Sequence, residues 1–265
     1  MIFTDQTNKV VEITTPPLRI ISLVPSQTEL LHFLNLDDQV VGITKFCVHP
    51  NNWFRNKTRV GGTKQYHFDR IEALTPNLII ANKEENDKEQ ILQLAEKYPV
   101  WVSDVKNLTD ACEMIKSVGA ITNTTLQTNK LIENIQEGFL HLKKQVVKRP
   151  NLRVLYLIWQ KPYMTIGGDT FINDMIENAG WTNCYANQTR YPVVTEGEIT
   201  DLQPDLILLS SEPFPFKKKH ITEISKLCPT AVIKLVDGEY FSWYGSRLLQ
   251  TSQYLCNLVH SAIKV

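Results

Sequence analysis

Apolar positions along this chain fall into short continuous runs separated by amphipathic stretches, and two of these blocks are nearly the same. Residues 71–84 read IEALTPNLIIANKE and residues 199–212 read ITDLQPDLILLSSE. Ile71, Leu74, Pro76, Leu78, Ile79, Ile80 and Glu84 thus match Ile199, Leu202, Pro204, Leu206, Ile207, Leu208 and Glu212 at a constant offset of 128. Each block predicts a short amphipathic helix, a proline break and a strand buried on both faces. A second echo, RIISLVP at 19–25 and RVLYLIW at 153–159, puts Arg before an aliphatic strand at an offset of 134. Alternating strand and helix patterns favour parallel sheets with helices on both faces.

Between these anchors the pattern predicts further elements. VVEI at 10–13 reads as a strand followed by a turn at Thr14-Thr15-Pro16-Pro17. Ser26 is expected to cap a helix running to Phe33, with Glu29 completing a capping box. Strands are expected at 40–44 and 100–102, and a helix at 88–97. Leu131, Ile135, Phe139, Leu142 and Val146 form one face of a long helix from Thr122 to Lys148, about 40 Å at 1.5 Å per residue, which ends before Pro150. The second half repeats the plan, with a helix from Thr170 to Asn178 and a last one from Gly245 to Ala262. The expected fold is therefore α/β: two doubly wound α/β lobes, residues 1–121 and 149–265, joined by a single long helix at 122–148, with a ligand cleft between them.

Lysine plus arginine and aspartate plus glutamate balance at 28 each, so no overall field draws the chain to nucleic acid or anionic lipid. The first twenty residues carry neither a basic n-region nor a continuous apolar stretch, and no run is long enough to span a bilayer. This predicts a cytoplasmic protein as written, without membrane insertion. Cys47, Cys112, Cys184, Cys228 and Cys256 are scattered and odd in number, which predicts free thiols rather than a disulfide framework.

Signatures of catalysis are missing: there is no dinucleotide or Walker glycine loop, nucleophile elbow or HExxH helix. GGTK at 61–64 reads as a tight turn, and IGGDT at 166–170 as a helix cap. Aromatic side chains concentrate in expected loops and strand ends, where they can wall a bulky apolar ligand. The candidate walls are Phe46, Tyr66, Trp159, Tyr163, Tyr191, Tyr240 and Trp243, and the loop histidines His49 and His67 are candidate axial or hydrogen-bonding groups.

The order RIISLVPSQTELLHFLNLDDQVVGIT, VGG, FDRIEALTPNLIIA, a long helix, RVLYL, DLQPDLILLS and WYGSRLLQTSQYLC resembles the class III substrate-binding proteins of ABC importers. These are the helical-backbone receptors for cobalamin, haem and ferric siderophores. The resemblance covers roughly residues 18–262. It implies a non-enzymatic solute-binding protein with no intrinsic cofactor, whose ligand is a bulky metal chelate, corrinoid, haem or ferric siderophore. It also implies delivery to an ABC permease, whose arginines meet one carboxylate on each lobe, and a periplasmic or cell-envelope location as the alternative to a cytoplasmic one. The docking acid of the first lobe maps onto Asp69; in the second lobe it is Glu196 or Glu198. The protein is expected to be a monomer. Two rival readings stay open: a cytoplasmic corrinoid- or metal-handling enzyme or carrier using the same cleft, and a bare transition-metal receptor starting from Cys47, His49 and His67.

Overall fold

A computed structural model describes residues 1–13 and 19–262; the turn expected at Thr14 to Pro17 lies outside them. The chain divides into two compact units. Unit 1 comprises Met1–Val105, Thr109–Glu133 and Tyr244–Arg247, and unit 2 comprises Lys106–Leu108, Asn134–Trp243 and Leu248–Val265.

In chain order the first elements are β1 (Ile2–Thr4), β2 (Val10–Glu12), β3 (Ile20–Ser22), α1 (Pro25–Phe33), β4 (Val40–Ile43), α2 (Asn51–Asn56) and β5 (Thr58–Arg59). They are followed by α3 (Phe68–Leu74), β6 (Leu78–Asn82), α4 (Lys88–Ala95), β7 (Val100–Ser103), α5 (Leu108–Thr122) and α6 (Thr125–Val146). The second half holds β8 (Arg153–Leu157), β9 (Tyr163–Met164), α7 (Phe171–Asn178), β10 (Thr182–Asn183), β11 (Val193–Val194) and α8 (Glu196–Leu202). It ends with β12 (Leu206–Ser210), α9 (Lys218–Ile224), β13 (Val232–Val236), α10 (Glu239–Ser242) and α11 (Leu248–Ser261).

Each unit is built on a parallel sheet, in the order β5-β4-β3-β6-β7 in unit 1 and β10-β8-β12-β13 in unit 2. The two repeats seen in the sequence meet side by side in both sheets. Ile20 and Ile21 pair with Leu78 and Ile79, and Val154 and Leu155 pair with Leu206 and Ile207. Every residue of β6 and β12 is buried, as expected for central strands covered on both faces.

The repeated arginines have the same task. Arg19 Nε donates to the Leu74 carbonyl (2.7 Å), and Arg153 Nη1 donates to the Gln203 carbonyl (3.0 Å). Both cations therefore sit on the last carbonyls of a helix that ends in a left-handed residue before proline, Thr75 (φ 43°) or Gln203 (φ 48°).

Two details differ from the sequence reading. Helix α1 begins at Pro25 with Val24 as its N-cap and no side-chain cap bond. Ser26 is buried inside the first turn, and the Glu29 carboxylate is held by Arg247 instead. The long helix begins at Thr125 rather than Thr122, because Asn123 (φ 58°) adopts a left-handed conformation and Thr124 N–H returns to the Gly119 carbonyl at 2.8 Å. That is the hydrogen bond which closes a helix C-terminus, so α5 stops before α6 starts. Residues 125–133 of α6 belong to unit 1 and the remainder to unit 2. Among the described residues no helix is long and apolar enough to cross a membrane.

Candidate functional site

The carboxyl ends of β8, β12 and β13, where open parallel sheets collect their binding residues, frame a hollow of about 320 Å³ within unit 2. Its wall is mostly apolar: Ile158, Trp159, Met164, Ile172, Tyr191 and Pro213. Trp159 is 39 % exposed and packs its ring edge-on against Phe214, centroids 5.8 Å apart. Tyr191 is half-buried.

The polar part of the wall comes from Tyr156, Ser210, Glu212 and Ser242. Tyr156 is fully buried, its hydroxyl pushed above its ordinary pKa by that burial, and it donates to Ser210 Oγ (3.1 Å). Ser210 Oγ in turn donates to the Glu212 carbonyl (2.6 Å). Ser242 Oγ donates to Glu212 Oε1 (2.6 Å). Burial raises the Glu212 pKa, the Ser242 hydrogen bond opposes that rise, and Glu239 and Asp237 add to it; the Trp243 side chain is a further hydrogen-bond partner. Gly238 lets the chain after β13 approach this group closely, since a Cβ there would lie 2.4 Å from Ser210 Oγ and 2.7 Å from Glu212 Cγ.

Of the residues singled out in the sequence, Trp159 and Tyr191 share this hollow, and Trp243, buried, reaches it through Glu212. Tyr163 lines a neighbouring hollow of about 580 Å³ in the same unit, together with Glu196. Tyr240 stacks on Tyr254 at 4.3 Å. In unit 1, Phe46 is 50 % exposed with Lys45 Nζ over its ring, and His49 and His67 are exposed. Tyr66 is buried and donates to the Thr63 carbonyl (2.7 Å), closing the loop after Gly62. Cys47 is buried, and Thr28 Oγ1 donates to its sulfur (3.1 Å). Burial pushes this thiol up, away from the thiolate that a metal needs.

The docking candidates are exposed first-turn acids, Asp69 in α3 and Glu196 and Glu198 in α8. Glu198 is committed to a capping box: its Oε2 accepts from Thr195 N–H and Thr195 Oγ1, both at 2.7 Å. The backbone bond and then the hydroxyl bond lower its pKa. Glu212, Ser210, Ser242 and Tyr156 were not singled out as site residues from sequence. The available signal was Glu212 itself, a carboxylate two residues after the end of an aliphatic strand.

The model of the family described as periplasmic binding protein matches residues 20–227. The ABC transporter substrate-binding lipoprotein YvrC of Bacillus subtilis is 26% identical over 212 residues, 77% of this chain and 67% of the relative. The vitamin B12-binding protein of Pectobacterium carotovorum is 23% identical over 245 residues, covering 91% of this chain and 88% of its own. The periplasmic heme-binding protein RhuT of Roseiflexus sp. RS-1, solved without ligand, superposes with a TM-score of 0.81 over 92% of this chain and 98% of its own, at 19% identity.

The expectation of a cytoplasmic protein is overturned by the match to the family described as periplasmic binding protein and by a relative that is an ABC transporter substrate-binding lipoprotein. The expectation rested on the first twenty residues, which supply β1 and β2 of the folded body, so their pattern reports that body and not where it works. With the family match covering the whole parallel sheet of unit 1 and β8, β10 and β12 of unit 2, the chain belongs to the periplasmic binding protein family.

Proposed function

We propose that this chain is the solute-binding component of an ABC importer and that it carries a bulky metal chelate, a corrinoid, haem or ferric siderophore. The observation that carries this reading is the open hollow at the strand ends of unit 2, walled by Trp159 and Tyr191, in a family whose members here include a vitamin B12-binding and a heme-binding protein. A large flat ligand gains from such a wall by stacking and burial, and the few polar groups fix its orientation. Phe46, His49, His67, Tyr163 and Tyr240 remain candidate contacts, whereas Tyr66 and Trp243 act through the fold around them. The protein works as a monomer and returns its ligand chemically unchanged.

Titration by absorption and by tryptophan quenching with cyanocobalamin, hemin and a ferric trihydroxamate tests the reading. One of the three is expected to bind, and Trp159→Ala and Tyr191→Ala each weaken it by about 1–3 kcal/mol. Unchanged affinity in both folded variants would move the ligand elsewhere.

For delivery, Asp69 and Glu196 are the proposed docking acids, because the Glu198 carboxylate is occupied in capping α8. Charges at an interface rim govern association rate more than ligand affinity. Asp69→Ala with Glu196→Ala is therefore expected to leave chelate binding intact while slowing capture by the reconstituted permease. Raised salt should slow the wild type toward the variant. A weakened chelate affinity would instead place these acids in the ligand site.

A further inference from the structure

The hydrogen bonds of the hollow in unit 2 run in a definite direction. Three of its hydroxyls give their protons to acceptors within the protein: Tyr156 to Ser210, Ser210 to the Glu212 carbonyl and Ser242 to Glu212 Oε1. The Glu212 carboxyl is itself an acceptor, and ionised it has about four lone-pair sites, more than Ser242 and Trp243 fill. No Lys, Arg or His lines the hollow among the described residues. A ligand edge bearing carboxylates would meet another acceptor and a like charge there, with no cation to offset either. An edge bearing N–H donors would find acceptors already held in place.

We propose that Glu212 is the specificity-determining residue of the ligand site, selecting the uncharged, amide-bearing edge of a metal chelate and rejecting a carboxylate-bearing edge. This deepens the function proposed above and rests on it. Glu212 is a half-buried group fixed by Ser242, and Gly238 allows no larger side chain to intervene. To swing away from an incoming anion the Glu212 carboxyl would have to give up its bonds to Ser242 and Trp243.

The test compares two ligands with the same ring system, cyanocobalamin and the monocarboxylic acid made by hydrolysing one of its side-chain amides. Wild-type protein is expected to bind the amide about tenfold or more tighter than the acid, since like charges brought together at a buried site select against the wrong partner. Glu212→Gln keeps the shape and an acceptor oxygen but removes the charge, and should narrow the ratio to about threefold or less. Equal affinities in the wild type overturn the proposal, as does a ratio that Glu212→Gln leaves unchanged. Should that variant fail to fold, the wild-type ratio decides alone, and a ratio near one overturns it. If haem binds and corrinoids do not, hemin and its dimethyl ester replace the pair, and tighter binding of the diacid overturns the proposal. If no chelate binds, it is the function itself that fails, an outcome separate from any loss of discrimination.

Discussion

Glu212 shows how one position in a repeated phrase can acquire a separate role. Its match at offset 128 is Glu84, yet only the second copy has Ser242 donating to its carboxyl and Asp237 and Glu239 close by. Burial and these two acids raise its folded pKa, so the folded state favours the proton-bearing form more than the unfolded chain does. Its stabilising contribution is complete below the unfolded glutamate pKa and is lost as pH rises through the higher folded value. Glu212→Gln should therefore match or trail the wild type in thermal melts at low pH and gain on it as pH rises through the folded glutamate pKa, with no further gain above it. A difference independent of pH would show that Glu212 ionises as freely in the fold as out of it. The aromatic candidates teach the complementary lesson. Loop position alone pointed equally to Trp159, Tyr66 and Trp243, but a ring in a loop turns inward when its polar atom finds a partner, as Tyr66 does at Thr63 and Trp243 at Glu212. Such partners come from the tertiary fold, so the local pattern could not separate wall from packing.

Elements were more legible than side chains, because their period is written locally. Of the five residues on the expected face of α6, Leu131, Ile135, Phe139 and Leu142 are buried as their spacing predicts, and Val146 at its end is half-buried. The break before α6 was not legible, since the apolar character of α5 runs up to Ile121 and a single left-handed Asn123 ends it. What fixes the pair is Gly119. A Cβ there would come within 2.1 Å of Thr128 Oγ1 and 2.9 Å of Thr128 Cβ, so turning the Thr128 side chain alone cannot make room and the helices must part. Gly119→Ala should cost about 1–3 kcal/mol as an overpacking change, read as a lower denaturant midpoint. Pairing it with Thr128→Ala or Thr128→Ser should recover part of the loss. A neutral Gly119→Ala would mean that the α5–α6 packing yields more easily than its geometry implies. The arginine echo was equally visible in sequence, but its purpose, a cation on the last carbonyls of the neighbouring helix, emerged only when the two strands were found side by side.

At the scale of the whole molecule, the repeated halves announced two parallel sheets, and nothing local announced that four residues near the C-terminus belong with the first. Trp243 and Leu248 group with unit 2, while Tyr244–Arg247 between them group with unit 1. There Tyr244 donates to Glu85 Oε1 (2.7 Å), and Arg247 grips Glu29 with two bonds, Nε to Oε2 (3.1 Å) and Nη2 to Oε1 (2.5 Å). Gly245 is required because a Cβ would lie 2.7 Å from the Ser26 carbonyl oxygen. These contacts span more than 150 residues of sequence, a separation at which no periodic pattern carries information. The pair is well shielded, with side-chain exposures of 12% and 22%, so it is screened less than a surface pair and removing one partner strands the other. Arg247→Met keeps the apolar stem and deprives Glu29 of its partner, and is expected to cost about 1–3 kcal/mol. The loss should be local: hydrogen exchange is expected to quicken in α1, which carries Glu29, while β8 and β12 of unit 2 keep their protection. Equal loss of protection in both units would mean that the whole chain unfolds as one cooperative body, and no loss in α1 would mean that the ion pair is ornamental to a segment already fixed by Tyr244 and Gly245.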